Sequence, residues 1–405
     1  VIAAVAVVTV ALVPGQATAA PAAPASTATA AGIVNPLQLD PSQRLDAAGQ
    51  AKLDAITAHL PADWRDRLAR FRSKADVEHT GETAVVNAID PSQYECGPTG
   101  FSNYVDALIA PIDIDTLLIL LELGVLDYAT FDALLFGTPR NQEDYGNPPA
   151  FKAPINQAFK GSQRFWDVNL FDVQSLAMQN DMLADHDRVS RIIGVLFGVD
   201  EAEADEAATL VQEVLNSSPV LNGGDNPLFT LNAFAFSAEG ETDPIFQGIP
   251  DKMIFGEGLT TALDALGLGT AGAQAVVGHE MAHHVQFEQD LFDSPLTGPE
   301  ATRRTELMAD GFGTYFVAHK RGLSFKGVRL HKAEQAFFEV GDCAFDNPGH
   351  HGTPNQRLRA SIWGAGLAAK AKPPFRVIPS LTLADKFERQ LPIITRPDAK
   401  NRSAA

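Results

Sequence analysis

Apolar positions change their spacing several times along this chain, and each change marks a boundary. The stretch LDPSQRLDAAGQAKLDAITAHLPADWRDRLARF, ending at Phe71, repeats apolar residues every three or four positions behind Asp, Pro and Ser, which predicts helix. From Asn103 to Phe136 the spacing continues with breaks near Pro111 and Gly124, predicting two or three packed helices. Residues 137–163 are rich in Pro, Gly and Asn and read as an irregular connection, after which 168–198 and 201–216 return to strong helical spacing. The period then shifts. PLFTLNAFAFSAEG and DKMIFGEG are short, carry Phe and Ile, and are bounded by Gly, Pro and Asp, which predicts strands. Helical spacing resumes over 270–290, 302–320 and 333–340, and no internal repeat is visible. The pattern is that of a mostly helical α+β protein with a small sheet just before a histidine-rich helix.

The first residues differ from all this. A 13-residue apolar run is followed by a Pro-Gly break and the small triplet Ala17, Thr18, Ala19, as in the apolar core and cleavage site of an export signal, although no basic residues precede the run. The rival is a membrane anchor, but the run is shorter than the roughly 20 residues a spanning helix needs. Leu117–Leu126 is shorter still, contains Glu122, and reads as a core helix. The expected layout is a signal over 1–19, an Ala/Pro-rich linker over 20–36, a helical region of unassigned role over 37–160, a catalytic-type domain over 161–370 and a C-terminal extension over 371–405. The mature protein is then expected to be secreted, with no stable membrane insertion.

Composition narrows the partners. With 31 basic against 50 acidic residues among 405, the net charge is -19 and no basic cluster stands out, which argues against nucleic acid and anionic membrane surfaces. Acidic runs such as Asp200–Glu206 read as solvated helix faces. Two cysteines, Cys96 and Cys343, suit an exported protein with one disulfide. The alternative is that Cys96, in YECGPTG, is an inhibitory thiolate occupying a metal before activation.

The candidate chemistry lies in VVGHEMAHHVQ. His279 and His283 are four apart, so on a helix they share a face and can aim two imidazoles at one ion, with Glu280 close enough to reach a water there without being a ligand. His284 sits about 100° further round and reads as a packing residue or a support to the site. A third ligand is needed, and Glu306 in RRTELMADGFGTYF lies 23 residues after His283 on the next predicted helix. Asp310 is on the same face as Glu306 and can accept a hydrogen bond from the second ring nitrogen of a histidine. Two histidines and one glutamate with an open position make the catalytic type of zinc site, holding one Zn2+ per chain. Seven of the ten histidines fall between 279 and 351, which favours a site in this segment.

These residues resemble the gluzincin metallopeptidases, in which H-E-x-x-H is followed by E-x-x-x-D on a later helix. HEMAHHVQ, ELMADGF and HGTPNQR (His351–Arg357) are similar, in this order, to segments of the bacterial neutral zinc metallopeptidases. LNAFAFS resembles the edge strand of the prenyl-protease and heat-shock membrane protease families. The likeness covers about residues 225–365, and nothing before about 160 takes part. Two departures stand out: those protease families are integral membrane proteins, and Ala282 replaces the glycine common in the motif.

The resemblance implies a zincin-like domain that hydrolyses peptide bonds of a peptide or protein substrate. In it, zinc on His279, His283 and Glu306 acidifies its water, and Glu280 takes the proton and passes it to the leaving amine. It also implies that Asn232, Ala233, Phe234 and Ala235 pair with an extended substrate, where the residues alone equally suit a core strand. His351 or Arg357 would face the charge that develops in the transition state, or else belong to a turn with a helix-capping arginine. Two other readings stay open: a secreted binding or scaffold protein that keeps this fold without turnover, and a latent enzyme whose segment from about 33 to 160 is removed.

Overall fold

The computed structural model describes residues 3–5, 44–75, 89–137, 149–239, 241–347, 349–372 and 376–399. Apart from the backbone of Ala3–Val5, the export signal and the linker lie outside the described residues.

Three strands make a small sheet. They are β2 (Gln174–Met178), β3 (Ala233–Phe236) and β4 (Lys252–Gly256), with β4 in the middle, parallel to β2 and antiparallel to β3. The backbone of β1 (Ala3–Val5) adds a fourth strand, antiparallel along the outer edge of β3, with Ala3 opposite Phe236 and Val5 opposite Phe234. The sheet is covered on both sides. The helix Tyr128–Phe136 packs on β2 and β4, and the histidine helix (Gly269–Glu288) packs on β3 and β4. Burial on both faces explains why β3 and β4 read as short continuous apolar runs rather than as alternating ones.

Helices form the rest. Before the sheet come Ala47–Thr57, Trp64–Ala75, Gly100–Ile109, Ile114–Glu122 and Lys152–Phe165. With Tyr128–Phe136, those between 100 and 136 make three helices where two or three were expected. His186–Phe197, Glu201–Ser217 and Glu257–Ala265 lie between and after the strands. The histidine helix is followed by the glutamate helix (Pro299–Ala318), Gly327–Glu339, the arginine helix (Pro354–Lys370) and Ser380–Ile394. One hydrophobic cluster runs from Leu53 and Phe71 through Leu120 and Phe131 to Val277, Phe312 and Phe387, joining the early helices to the sheet and the histidine helix. The Leu117–Leu126 run lies in that core, and among the described residues no helix is long and apolar enough to cross a membrane.

Three expectations need correction. The stretch 168–198 is not one helical pattern, since it holds β2, a 3₁₀ turn over Asn180–Ala184 and a helix that starts only after its Asp185 cap. Only Leu176, Ala177 and Met178 of β2 are buried, and a run that short shows no alternation to set it apart from the helical spacing around it, so spacing alone misassigns it. The irregular connection over 137–163 includes the start of the helix Lys152–Phe165, because Pro154 falls in its first turn, where no intrahelical N–H is needed. The disulfide Cys96–Cys343 is formed, which removes the reading of Cys96 as a free metal-blocking thiolate.

The glutamate and arginine helices touch backbone to backbone. A Cβ on Gly364 would fall inside the van der Waals envelope of the Gly311 carbonyl oxygen. Gly364→Ala is therefore expected to force the two helices apart at a loss of about 1–3 kcal/mol. A urea titration should show a lower midpoint at unchanged slope, and an unchanged midpoint would mean that the crossing has slack.

Candidate metal centre

The histidine and glutamate helices are joined by a short connection and cross at Gly278 and Gly313. A Cβ on Gly313 would stand 2.8 Å from the His279 amide nitrogen, so only glycine allows this approach. At that distance the i,i+4 pair His279/His283 on one helix faces the i,i+4 pair Glu306/Asp310 on the other.

Four buried atoms converge there. His279 Nε2 and His283 Nε2 are 3.0 Å apart. Glu306 Oε2 lies 3.3 Å from His279 Nε2, and Glu306 Oε1 lies 3.3 Å from His283 Nε2. A tetrahedral ion with arms of ~2.0–2.1 Å sets its ligand atoms ~3.3 Å apart, so these separations fit such an ion in the middle. Glu280 belongs to the same group: His279, Glu280 and His283 each place a ligand atom within 4.8 Å of the others. Because Glu306 is nearer to both imidazoles, it suits the third ligand position. Glu280 stands back with Oε2 buried and without a hydrogen-bond partner.

The second ring nitrogens decide what the first ones carry. The Gln286 amide nitrogen donates to the Thr305 carbonyl at 2.9 Å, so its Oε1 faces His283 Nδ1 at 2.7 Å and can only accept from it. His279 Nδ1 stands 2.9 Å from Asp310 Oδ1. Arg357 holds the Asp310 carboxylate with Nε and Nη2, both at 2.8 Å, which fixes Oδ1 as an acceptor facing that ring nitrogen. Both Nδ1 atoms thus carry hydrogen, and both Nε2 atoms present lone pairs to each other and to Glu306. Acceptors facing acceptors in a buried site are reconciled by a positive charge between them, either a proton on one ring or a metal ion.

The electrostatics agree. Burial opposes a charge on His279, but Glu306 and then Asp310 outweigh it and raise its pKa to about 10, so a proton takes the cation's place when no metal is bound. Burial lowers His283 below the ordinary histidine value. Burial also opposes the charge on Glu306, yet His351, His279 and His283 hold it well below the usual carboxylate range. Glu280 is pushed up to about 8, chiefly by burial.

The remaining candidates fall in different places. HGTPNQR is the start of the arginine helix: Thr353 and Gln356 form a capping box around Pro354, which sets Arg357 in the first turn. Arg357 spends Nε and Nη2 on Asp310, points Nη1 at the Val340 carbonyl and lies 3.5 Å from Glu306. A guanidinium so engaged orients Asp310 and thereby His279. His351 stays beside the cluster, where its charge and that of Glu306 stabilise each other. His284 Nε2 lies 3.1 Å from the Lys252 carbonyl, which ties the histidine helix to β4 and gives it a packing role. Asn232 precedes β3 with both side-chain polar atoms buried and without hydrogen-bond partners, and Ala233, Phe234 and Ala235 are buried in β3.

Two polar residues of the site escaped the sequence reading. Gln286 had a local signal, an amide three positions after His283 on the same face. Asp342, which holds the His350–His351 segment, had none in its own neighbourhood.

Compared with family models, with curated proteins and with solved structures, the chain finds no match in any of the three. What the site can do therefore rests on its own geometry, and that geometry is a buried group able to hold a metal ion.

Gln286→Leu removes the acceptor from His283 Nδ1 and the side-chain donor that Gln286 gives to the Thr305 carbonyl. Metal affinity, read by competition with a chromophoric chelator, should fall about 10–100-fold, as expected for losing an outer partner of a ligating histidine. Equal affinity in the variant would mean that the ring is held by packing alone.

Proposed function

We propose that this protein is a secreted zinc-dependent peptidase of gluzincin type, with one zinc per chain held by His279, His283 and Glu306. The observation that carries the proposal is the buried convergence of two Nε2 lone pairs and a carboxylate beside the unpartnered Glu280 oxygen. Donors of this kind, two imidazoles and one carboxylate with no thiolate, suit zinc with an open position. Zinc, when bound, supplies the positive charge that acidifies water and polarises a peptide carbonyl. Glu280 Oε2 takes the proton from the attacking water and hands it to the leaving amine. Asp310 and Gln286 keep the two imidazoles in the tautomer that leaves Nε2 free to ligate.

The antiparallel pairing of Ala3–Val5 with β3 supports an extended peptide as substrate. It is what a bound strand would do at that edge, using backbone groups and little side-chain selection. The unpartnered amide of Asn232, at the start of the same strand, supports the same placement. Export is supported by the disulfide.

Glu280 separates a peptidase from a binding protein that only retains the metal. Glu280→Gln is expected to keep one zinc per chain by elemental mass spectrometry, while hydrolysis of an internally quenched peptide library falls by about 10²–10⁴-fold. Undiminished hydrolysis would take the base role from Glu280. A wild-type protein that holds zinc but cleaves nothing in the library would favour the binding protein.

A further inference from the structure

We propose that the Cys96–Cys343 disulfide is a redox-sensitive tie that, through Asp342, holds His351 at the metal cluster, so that reducing it slows hydrolysis without releasing the metal. This rests on the peptidase reading above.

Asp342 is the hub of a short loop. Its Oδ1 accepts from His350 Nδ1 at 2.5 Å and from the Ala344 amide at 2.8 Å. Its Oδ2 accepts from the His351 amide at 2.8 Å and lies 3.5 Å from His351 Nδ1. Its own amide donates to the Gly352 carbonyl at 3.0 Å and so closes the loop at its base. One carboxylate therefore sets both the backbone and the ring of His351. Burial opposes its charge, but His350 and His351 hold Asp342 ionised far below the usual carboxylate range.

His351 is the member of the cluster that a substrate can reach. The side chains of His279, His283, Glu306, Asp310 and Arg357 are at most 4% exposed, and Glu280 is 1% exposed, whereas His351 keeps 15%. With Arg357 engaged by Asp310, His351 is also the cluster's remaining side chain that can put a donor against charge developing on a substrate carbonyl.

Cys343 follows Asp342 directly, and the disulfide fastens it to a segment that is itself anchored on both sides. Thr99 Oγ1 donates to the Glu339 carbonyl at 2.6 Å, and the Phe101 amide donates to Glu339 Oε2 at 3.1 Å. The Glu95 amide donates to Asp398 at 2.8 Å. Apart from the sulfur bridge, the contacts between the loop and this segment are few and soft: a stacked Tyr94–Phe345 pair with centroids 5.7 Å apart and a long contact from Cys96 Sγ to the Asp342 carbonyl. Cutting the bridge leaves Asp342 held toward the early helices by the two Glu339 hydrogen bonds three residues before it and by these soft contacts. The metal ligands, on two helices packed through glycine, are untouched.

The reduction can be carried out with a water-soluble phosphine. One disulfide, one phosphine and one water give two thiols and one phosphine oxide, so the two electrons come from phosphorus and the two thiol protons from water.

The test uses the full-length protein, oxidised, phosphine-treated and desalted, and reoxidised, together with Asp342→Asn and the double variant Cys96→Ser/Cys343→Ser. Turnover of the quenched-peptide library, zinc content, free thiols and amide hydrogen exchange are measured on each. Reduction to two thiols is expected to lower kcat with KM nearly unchanged, by up to the roughly 10²–10³-fold that loss of a transition-state donor costs. Zinc should stay at one per chain, exchange should quicken at 342–352, and reoxidation should restore the rate. The serine pair should behave like the reduced protein, and Asp342→Asn should lose kcat with its disulfide intact. Full activity at two free thiols, or zinc lost in step with activity, would overturn the tie. If the oxidised wild type cleaves nothing, the peptidase reading fails first, and exchange still decides the tie: quickening confined to 342–352 supports it, and quickening spread through the chain or absent overturns it.

Discussion

A carboxylate and two imidazole lone pairs, buried and aimed at one another, are the constraint on which the rest of this structure depends. Any one of them could be satisfied alone by a donor. Together they repel unless a cation sits between them, because each is an acceptor and water is excluded. Their orientation is not left to chance. Arg357 clamps Asp310, Asp310 faces His279 Nδ1, and Gln286 takes the hydrogen of His283 Nδ1 while its other end is spent on the Thr305 carbonyl. Removing any of these partners would let a ring flip and the repulsion relax.

Such an arrangement needs helices closer than ordinary side chains allow. Gly278 against Gly313 brings the histidine and glutamate helices together, and Gly311 against Gly364 does the same for the glutamate and arginine helices. The glutamate helix is thus gripped on two sides by backbone contacts, with Glu306 turned to one neighbour and Asp310 shared between both. Glycine inside a helix costs about 0.5–1 kcal/mol relative to alanine. The interhelical packing and the bidentate ion pair offset that cost, which places the functional requirement and the stability of the fold in the same contacts.

Much of this was legible in the sequence, and the limits are physical. His279 with His283 and Glu306 with Asp310 are each four apart, so one helical turn predicts each pair's shared face. That the two faces meet depends on a tertiary crossing, for which glycine is only a permissive mark. Arg357 is visible as part of HGTPNQR, but its partner is not. Its engagement by Asp310 follows from the packing of a helix that the sequence reading did not identify, although Thr353, Pro354 and Gln356 carry its start signal. Strand β2 was hidden because its buried part is three consecutive residues, Leu176, Ala177 and Met178, too short a run to show the alternation that distinguishes strand from helix. Asp342 was illegible because its partners are set by a loop closure and a disulfide that bridges 247 positions.

Charge accounting narrows what can occupy the centre. Three carboxylates, Glu280, Glu306 and Asp310, are buried around it, and among them Arg357 is the one permanent protein cation. The His351 charge that faces Glu306 also faces Asp342, and these two offset each other, so the pair adds nothing to the balance. Two negative charges are therefore left when Glu280 is ionised. A single proton on His279 answers only one of them, and burial then drives Glu280 toward its neutral form, in which it cannot act as a base. A divalent ion, were one bound, would answer both at once, neutralising the cluster, drawing Glu280 back toward the carboxylate and leaving His279 neutral and able to ligate. Gln286 keeps this balance where a glutamate would upset it, since an amide orients His283 without adding a fourth negative charge. The ionisation of the proposed base and occupancy of the metal position are thus one coupled state, set by how few positive charges the fold places nearby.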